Sequence, residues 1–185
     1  MDKVSKAPGT LLAPVPAVMV SCARPGERPN IITLAWVGTV CSDPPMVSIS
    51  IRPSRYSHEI LRQTGEFVIN LPTRELLEAT DVCGVVSGRD QDKFALCGLT
   101  AEPAELVGAP LIKECPVNLE CRVRQTIGLG SHDLFIAEIL KVHALPENSA
   151  YLPQMFAYGE GRYFSLGEVI GTYGFTKGQM SGGKR

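Results

Sequence analysis

The chain has 185 residues and a net charge of −1, with 44 % apolar and 20 % charged side chains. That is the length of one domain with one buried core. The near-zero charge leaves no broad basic field, which excludes nucleic acid and anionic membrane as partners, so any anion site has to be local. The opening stretch "MDKVSKAPGTLLAPVPAVMV" lacks a signal peptide, because Pro8, Pro14 and Pro16 break its apolar part. The longest apolar run, "IITLAWVGTVC", is too short to span a bilayer. A soluble, cytoplasmic protein is the expectation, read as a single domain over 1–185.

In chain order, "PVPAVMVSC" reads as a buried strand and "ARPGERPN" as a turn with Pro25, Gly26 and Pro29 as breakers. Residues 31–41, rich in β-branched side chains, predict a second strand, which "SDPP" ends. Trp36, the sole tryptophan, lies in this strand; by itself it reads as core packing. Backbone amides beside small residues such as Ala35 can also bond the edge of a planar heterocycle. Residues 46–52 form a third strand. Its period of two sets Val47, Ile49 and Ile51 on one face and Met46, Ser48, Ser50 and Arg52 on the other. Pro53 stops that strand. "SRYSHEILRQTG" then starts a helix, with Ser54 or Ser57 as cap and Gly65 as stop. Free amides at a helix start, joined by Arg52, Arg55 and two serines, are the donors a phosphate requires. The alternative is serines in solvent and ordinary surface arginines.

"EFVINLP" is a fourth strand and "TRELLEATDVCGVV" is helical. "SGRDQDKFALCGL" predicts a short helical turn near a site, and residues 100–116 read as irregular. "VNLECRVRQTIGLG" and "DLFIAEILKVHAL" are two more strands around "GSH", where His132 either meets a substrate or fills a turn. The tail from about residue 148 predicts a wrapping segment. Neither a G-x-G-x-x-G element nor a P-loop is present. The six cysteines form no C-x-x-C pair and the three histidines add no zinc spacing, so no metal site is expected. Most of the cysteines read as small buried residues in a reducing compartment. The expected architecture is mainly β, a barrel with a few short helices.

The blocks "NIITLAWVGTVCSDPPMVSISIRPSRYSHEIL", "GEFVINLPT", "SGRDQDKF" and "GSHDLFIAEI" together resemble the flavin reductase-like family with an FMN-binding split barrel, in particular its flavoredoxin-type group. The resemblance covers roughly residues 10 to 145. It implies a six-stranded Greek-key split β-barrel, a homodimer, and one FMN per subunit near the dimer interface. It places Thr33, Leu34, Ala35 and Trp36, with Cys41 and Ser42 of the "CSDPP" turn, along the isoalloxazine ring. Ser48, Ser50, Arg52, Ser54, Arg55, Tyr56 and Ser57 match the stretch that takes the ribityl chain and phosphate. Lys93 and Phe94 match a segment near the flavin, and His132 matches a histidine loop on the side of a nicotinamide donor, NAD(P)H. The implied activity is an FMN-dependent oxidoreductase exchanging hydride or electrons with NAD(P)H or with a protein. The alternatives are an electron carrier without nicotinamide activity and a non-enzymatic flavin-binding module. Pyridoxal phosphate, which split-barrel relatives also bind, is disfavoured because the resemblance is to the flavin branch.

Overall fold

Alternating apolar positions make the chain pair chiefly as strands rather than helices, and the computed structural model describes residues 2–146 and 155–168 of it. In chain order the elements are β1 (Val15–Pro16), β2 (Val18–Cys22), β3 (Asn30–Leu34), β4 (Val37–Ser42), β5 (Pro45–Ile51), α1 (Tyr56–Thr64) and β6 (Glu66–Leu71). A 3-10 turn (Arg74–Leu76) leads into α2 (Leu77–Val85), followed by α3 (Lys93–Cys97), β7 (Ala101–Glu102) and β8 (Leu111–Ile112). The long β9 (Val117–Gly128) and β10 (Asp133–Ala144) follow, and β11 (Phe156–Gly159) and β12 (Arg162–Ser165) form a final hairpin. The class is mainly β, as the sequence predicts.

The main sheet has seven strands in the order β3-β2-β6-β9-β10-β5-β4, all antiparallel. The expected six become seven because the run 31–41 is broken at Ala35 and Trp36 and changes partner there. Its first half pairs with β2 (Val18 opposite Leu34) and its second half with β5 (Val37 opposite Ile49). β3 and β4 therefore form opposite edges of the sheet although two residues separate them. Only a curled sheet can satisfy that connection, and the Ser50 amide donates to the Trp36 carbonyl at 3.0 Å, carrying the β4–β5 ladder up to the break.

Inside the curl lie Val18, Val20, Ile32, Val47, Ile49, Ile51, Phe67 and Phe135, with Ile60 and Leu61 of α1 among them. The predicted inward face of the third strand is thus the observed one, and each such side chain contributes about 1.5–3 kcal/mol by leaving water. α2 and α3 cover the outer face of β2 and β3, where Met19, Ile31, Cys83, Phe94 and Ile112 pack. Gly65 ends α1 at φ 67°, its amide donating to the Leu61 carbonyl, as its place after the last turn predicts. The start of α1 differs from expectation. Arg55 is the N-cap, neither serine caps it, and Ser57 is buried one residue inside the helix. The Asn30 Nδ2 group donates to Ser57 Oγ at 2.8 Å, which spends the hydroxyl on a tertiary bond instead of a local one. The cap of α3 is Asp92, whose Oδ1 accepts the Ala95 amide at 3.1 Å.

Residues 100–116 are irregular apart from the short β7–β8 pair. They are tied down by Glu120, which is fully buried on β9. Its carboxylate accepts the amides of Glu105 (2.9 Å) and Leu106 (2.6 Å) and meets His143 Nε2 at 2.6 Å. Burial pushes this carboxyl up, but His143 and the two amides outweigh burial and hold it below its ordinary value of 4.5. Its contribution to stability is therefore full above pH 4.5 and is lost as pH falls through the lower, folded value. Glu120→Ala, which strands two amides and a histidine, should cost about 3 kcal/mol. Urea melts at neutral pH and below pH 4 should show that gap narrowing in acid; an equal gap at both would show that Glu120 is not the ionised anchor.

The predicted wrapping tail falls partly outside the described residues. What is described, the β11–β12 hairpin, pairs with β1 (Val15 opposite Tyr158). Among the described residues no helix is long and apolar enough to cross a membrane. All six cysteines are free, with Cys22, Cys83, Cys115 and Cys121 buried.

Candidate functional site

Two joined hollows of about 390 and 260 Å³ form one groove at the seam where β3, β5, the start of α1 and the end of α2 converge. Ile32, Arg52, Arg55 and Gly84 line both.

The larger hollow draws its walls from several elements. Thr33, Leu34, Ala35 and Trp36 supply one side because the chain leaves β3 there to cross to β4. Ser50 and Arg52 come from the outward face of β5, and His132 from the loop between β9 and β10. The β11–β12 hairpin adds Tyr158, Glu160 and Gly161, Glu160 sitting at its tip with φ 50°. Trp36 is 45 % exposed, so it is not the core residue its type suggests. Its ring lies 4.5 Å from that of His132, inclined at 43°. Burial, and then the Arg52 charge, lower the His132 pKa below its ordinary 6.5. The imidazole is therefore neutral at pH 7, with Nδ1 2.9 Å from Ser131 Oγ. A neutral ring can donate one hydrogen bond and accept another, which suits an uncharged polar edge in the hollow.

The smaller hollow is cationic. Arg52, Arg55, Arg89 and Lys93 line it with Ser54, Ser57 and Ser87, and no carboxylate is among its lining residues. Arg89 also pairs with Glu59 at 3.5 Å and lies 5.2 Å from the Tyr56 ring centroid. The start of α1, which no side chain caps, lies at the same hollow, where the helix dipole favours an anion. Lys93 is 4 % exposed, and its Nζ donates to the carbonyls of Ile31 and Cys83, each at 2.8 Å. Burial lowers its pKa, with Arg55 adding to the effect; the neighbouring thiols oppose it. Asn30 is the one described residue with a buried side-chain polar atom lacking a partner: Oδ1 is unbonded and Asn30 lines the hollow. Such an atom costs free energy until a donor reaches it. Gly88 makes room for it, since a Cβ at position 88 would lie 1.9 Å from that oxygen.

Of the residues singled out in the sequence, the groove brings together Thr33, Leu34, Ala35, Trp36, Ser50, Arg52, Ser54, Arg55, Tyr56, Ser57, Lys93 and His132. Four lie elsewhere. Phe94 is in the core under α3, and Cys41 Sγ meets the Asp43 carbonyl at 3.4 Å on the outer strand. Ser42 sits opposite Pro45 at the end of that strand, and Ser48 lines a neighbouring hollow that shares Ala35, Trp36 and Ser50 with the larger one. Sequence reasoning missed Asn30, Gly84, Gly88, Arg89 and Tyr158. Only Gly88 and Arg89 carried a signal, as part of the "SGRDQDKF" turn.

The profile of the family described as flavin reductase like domain matches residues 11–167. A protein of Archaeoglobus fulgidus with no assigned function is 40 % identical over 116 residues, 63 % of this chain and 66 % of the relative. The flavoredoxin of Desulfovibrio vulgaris (Miyazaki F) superposes with a TM-score of 0.86 at 30 % identity, over 95 % of this chain and 100 % of that one. The flavoredoxin from Methanosarcina acetivorans gives 0.88 at 27 % identity, over 97 % and 100 %.

Proposed function

The chain belongs to the flavin reductase-like family, and from that premise we propose that it is an FMN-dependent oxidoreductase that exchanges hydride or electrons with a reduced donor, NAD(P)H or a protein. One observation carries this reading: a hollow with four cations and no lining carboxylate opens directly into one walled by Trp36, Ala35 and His132. A planar ring joined through a polyol to a dianion has that shape and polarity. Arg55, the first amides of α1 and the serines would hold the phosphate, with Lys93 and Arg89 completing the positive field. The unbonded Asn30 Oδ1 supports the same reading, because a ribityl hydroxyl would give it a donor. Bound flavin supplies the redox chemistry, and the chain's residues bind, orient and shield it. Thr33, with Oγ1 held by the Thr80 carbonyl, fixes the wall beside the ring. Neutral His132 positions a donor without adding charge.

Flavoredoxin neighbours that align over their whole length favour a second reading, an electron carrier served by a protein partner. The purified protein should take up FMN and turn yellow. Anaerobic stopped-flow mixing with NADH and NADPH then separates the two: bleaching with either identifies a nicotinamide-dependent enzyme, and none with both identifies the carrier. A protein that takes up no FMN is neither. We further place the protein in the cytoplasm as a homodimer. Six free thiols fit a reducing compartment, and Val40, 52 % exposed on the edge strand, fits a surface that a second copy covers.

A further inference from the structure

Two thiols lie close together behind the cationic hollow. Cys83 on α2 and Cys97 at the end of α3 have their sulfurs 3.9 Å apart. Cys83 is fully buried and Cys97 is half-buried, its thiol also 3.9 Å from the Ala79 carbonyl. Burial first, and then Cys97, push the Cys83 thiol up to about 12, so Cys97 is the sulfur that meets a reagent from solvent. The pair does not stand apart from the groove. Cys83, Gly84 and Lys93 line the cationic hollow, and Lys93 Nζ donates to the Cys83 carbonyl at 2.8 Å, joining the helices that carry the two cysteines.

We propose that Cys83 and Cys97 are an oxidisable dithiol, that a hydroperoxide closes it to a disulfide, and that closure loosens the hold of the cationic hollow on a phosphate. The second half rests on the flavin-binding reading above. In the first step the Cys97 thiolate attacks the O–O bond, giving a sulfenic acid and, with hydrogen peroxide, water. In the second the Cys83 sulfur attacks the Cys97 sulfur, loses its proton and expels a second water. The two thiols lose two electrons and two protons, and the peroxide is reduced to two waters. A disulfide needs its sulfurs about 2.05 Å apart, so the end of α3 has to move toward α2. Lys93 opens the same five-residue helix and moves with it.

The test treats reduced, full-length protein with hydrogen peroxide, blocks remaining thiols and maps tryptic peptides; cleavage at Arg89 and Lys93 puts the two cysteines on separate peptides. The expected product is a Cys83–Cys97 link with the loss of two hydrogens. FMN affinity should be several-fold weaker after oxidation, and dithiothreitol should restore it. Cys97→Ser, with Cys97→Ala as a second variant, should form no link and bind FMN equally before and after peroxide. Cysteines that stay unlinked, or link to other partners, overturn the dithiol. A clean link with unchanged FMN affinity overturns the coupling to the groove. No FMN uptake by the reduced protein overturns the flavin reading and the coupling with it, while the peptide map judges the dithiol by itself.

Discussion

Arg55→Ala should weaken FMN binding about 10- to 150-fold, the equivalent of one lost charge-assisted hydrogen bond at about 1.5–3 kcal/mol. Arg55 is placed for this twice over. It is the N-cap of α1, so its guanidinium starts where the helix amides point, and it is one of the residues common to both hollows. Its charge reaches Lys93, whose pKa it helps to lower. An incoming dianion would relieve that repulsion, and removing Arg55 removes part of what draws the dianion in. Arg62, exposed in the last turn of the same helix, is the control: Arg62→Ala should leave the affinity unchanged. Fluorescence titration of FMN against both variants reads the difference. Equal affinities in Arg55→Ala and the parent would remove this arginine from the site and move the phosphate away from the helix start.

Gly88→Ala should damage both the fold and the groove. The added methyl would lie 1.9 Å from Asn30 Oδ1 and 2.5 Å from Asn30 Cγ. Asn30 cannot swing aside freely. It is 3 % exposed, and its Nδ2 is bonded to Ser57 Oγ. The other way out is for the loop to lift, which breaks the bond from Arg28 to the Gly88 carbonyl at 3.1 Å. Overpacking of this kind costs about 1–3 kcal/mol, which in a chain of this length lowers Tm by roughly 2–4 °C per kcal/mol. FMN affinity should fall with it, because either escape displaces Arg89 or Asn30 at the cationic hollow. Calorimetry and titration on the same sample test this. An unchanged Tm would mean that the loop yields at no cost.

The third strand shows how far local pattern carries. Its period of two placed Val47, Ile49 and Ile51 inward and Ser50 and Arg52 toward the groove, and the fold obeys it, because side-chain alternation is a property of the strand itself. Gly65 was legible for a similar reason: a left-handed residue after a last helical turn is a local requirement. The cap of α1 was not. Ser54 and Ser57 both satisfy the local rule, but the bond between Ser57 and Asn30 spans 27 positions and outweighs it. Residue type alone misleads at Trp36, which the family's motif block places at the site. Its type predicts burial, yet the chain changes sheet partners at that residue and leaves the ring on the rim of the groove.

Composition, alternation and the family's motif blocks were enough to indicate a mainly β chain with a cationic segment after the third strand and a place in the flavin reductase-like family. Those are properties of neighbours along the chain. The tertiary structure alone decided that the strand at 31–41 splits to close the sheet, that Asn30 and Gly88 meet behind Ser57, and that Arg89 and Lys93 join Arg52 and Arg55 around one hollow. The physical reason is that these contacts connect residues tens of positions apart. Which of them form depends on how seven strands curl around a shared core, and no local spacing encodes that.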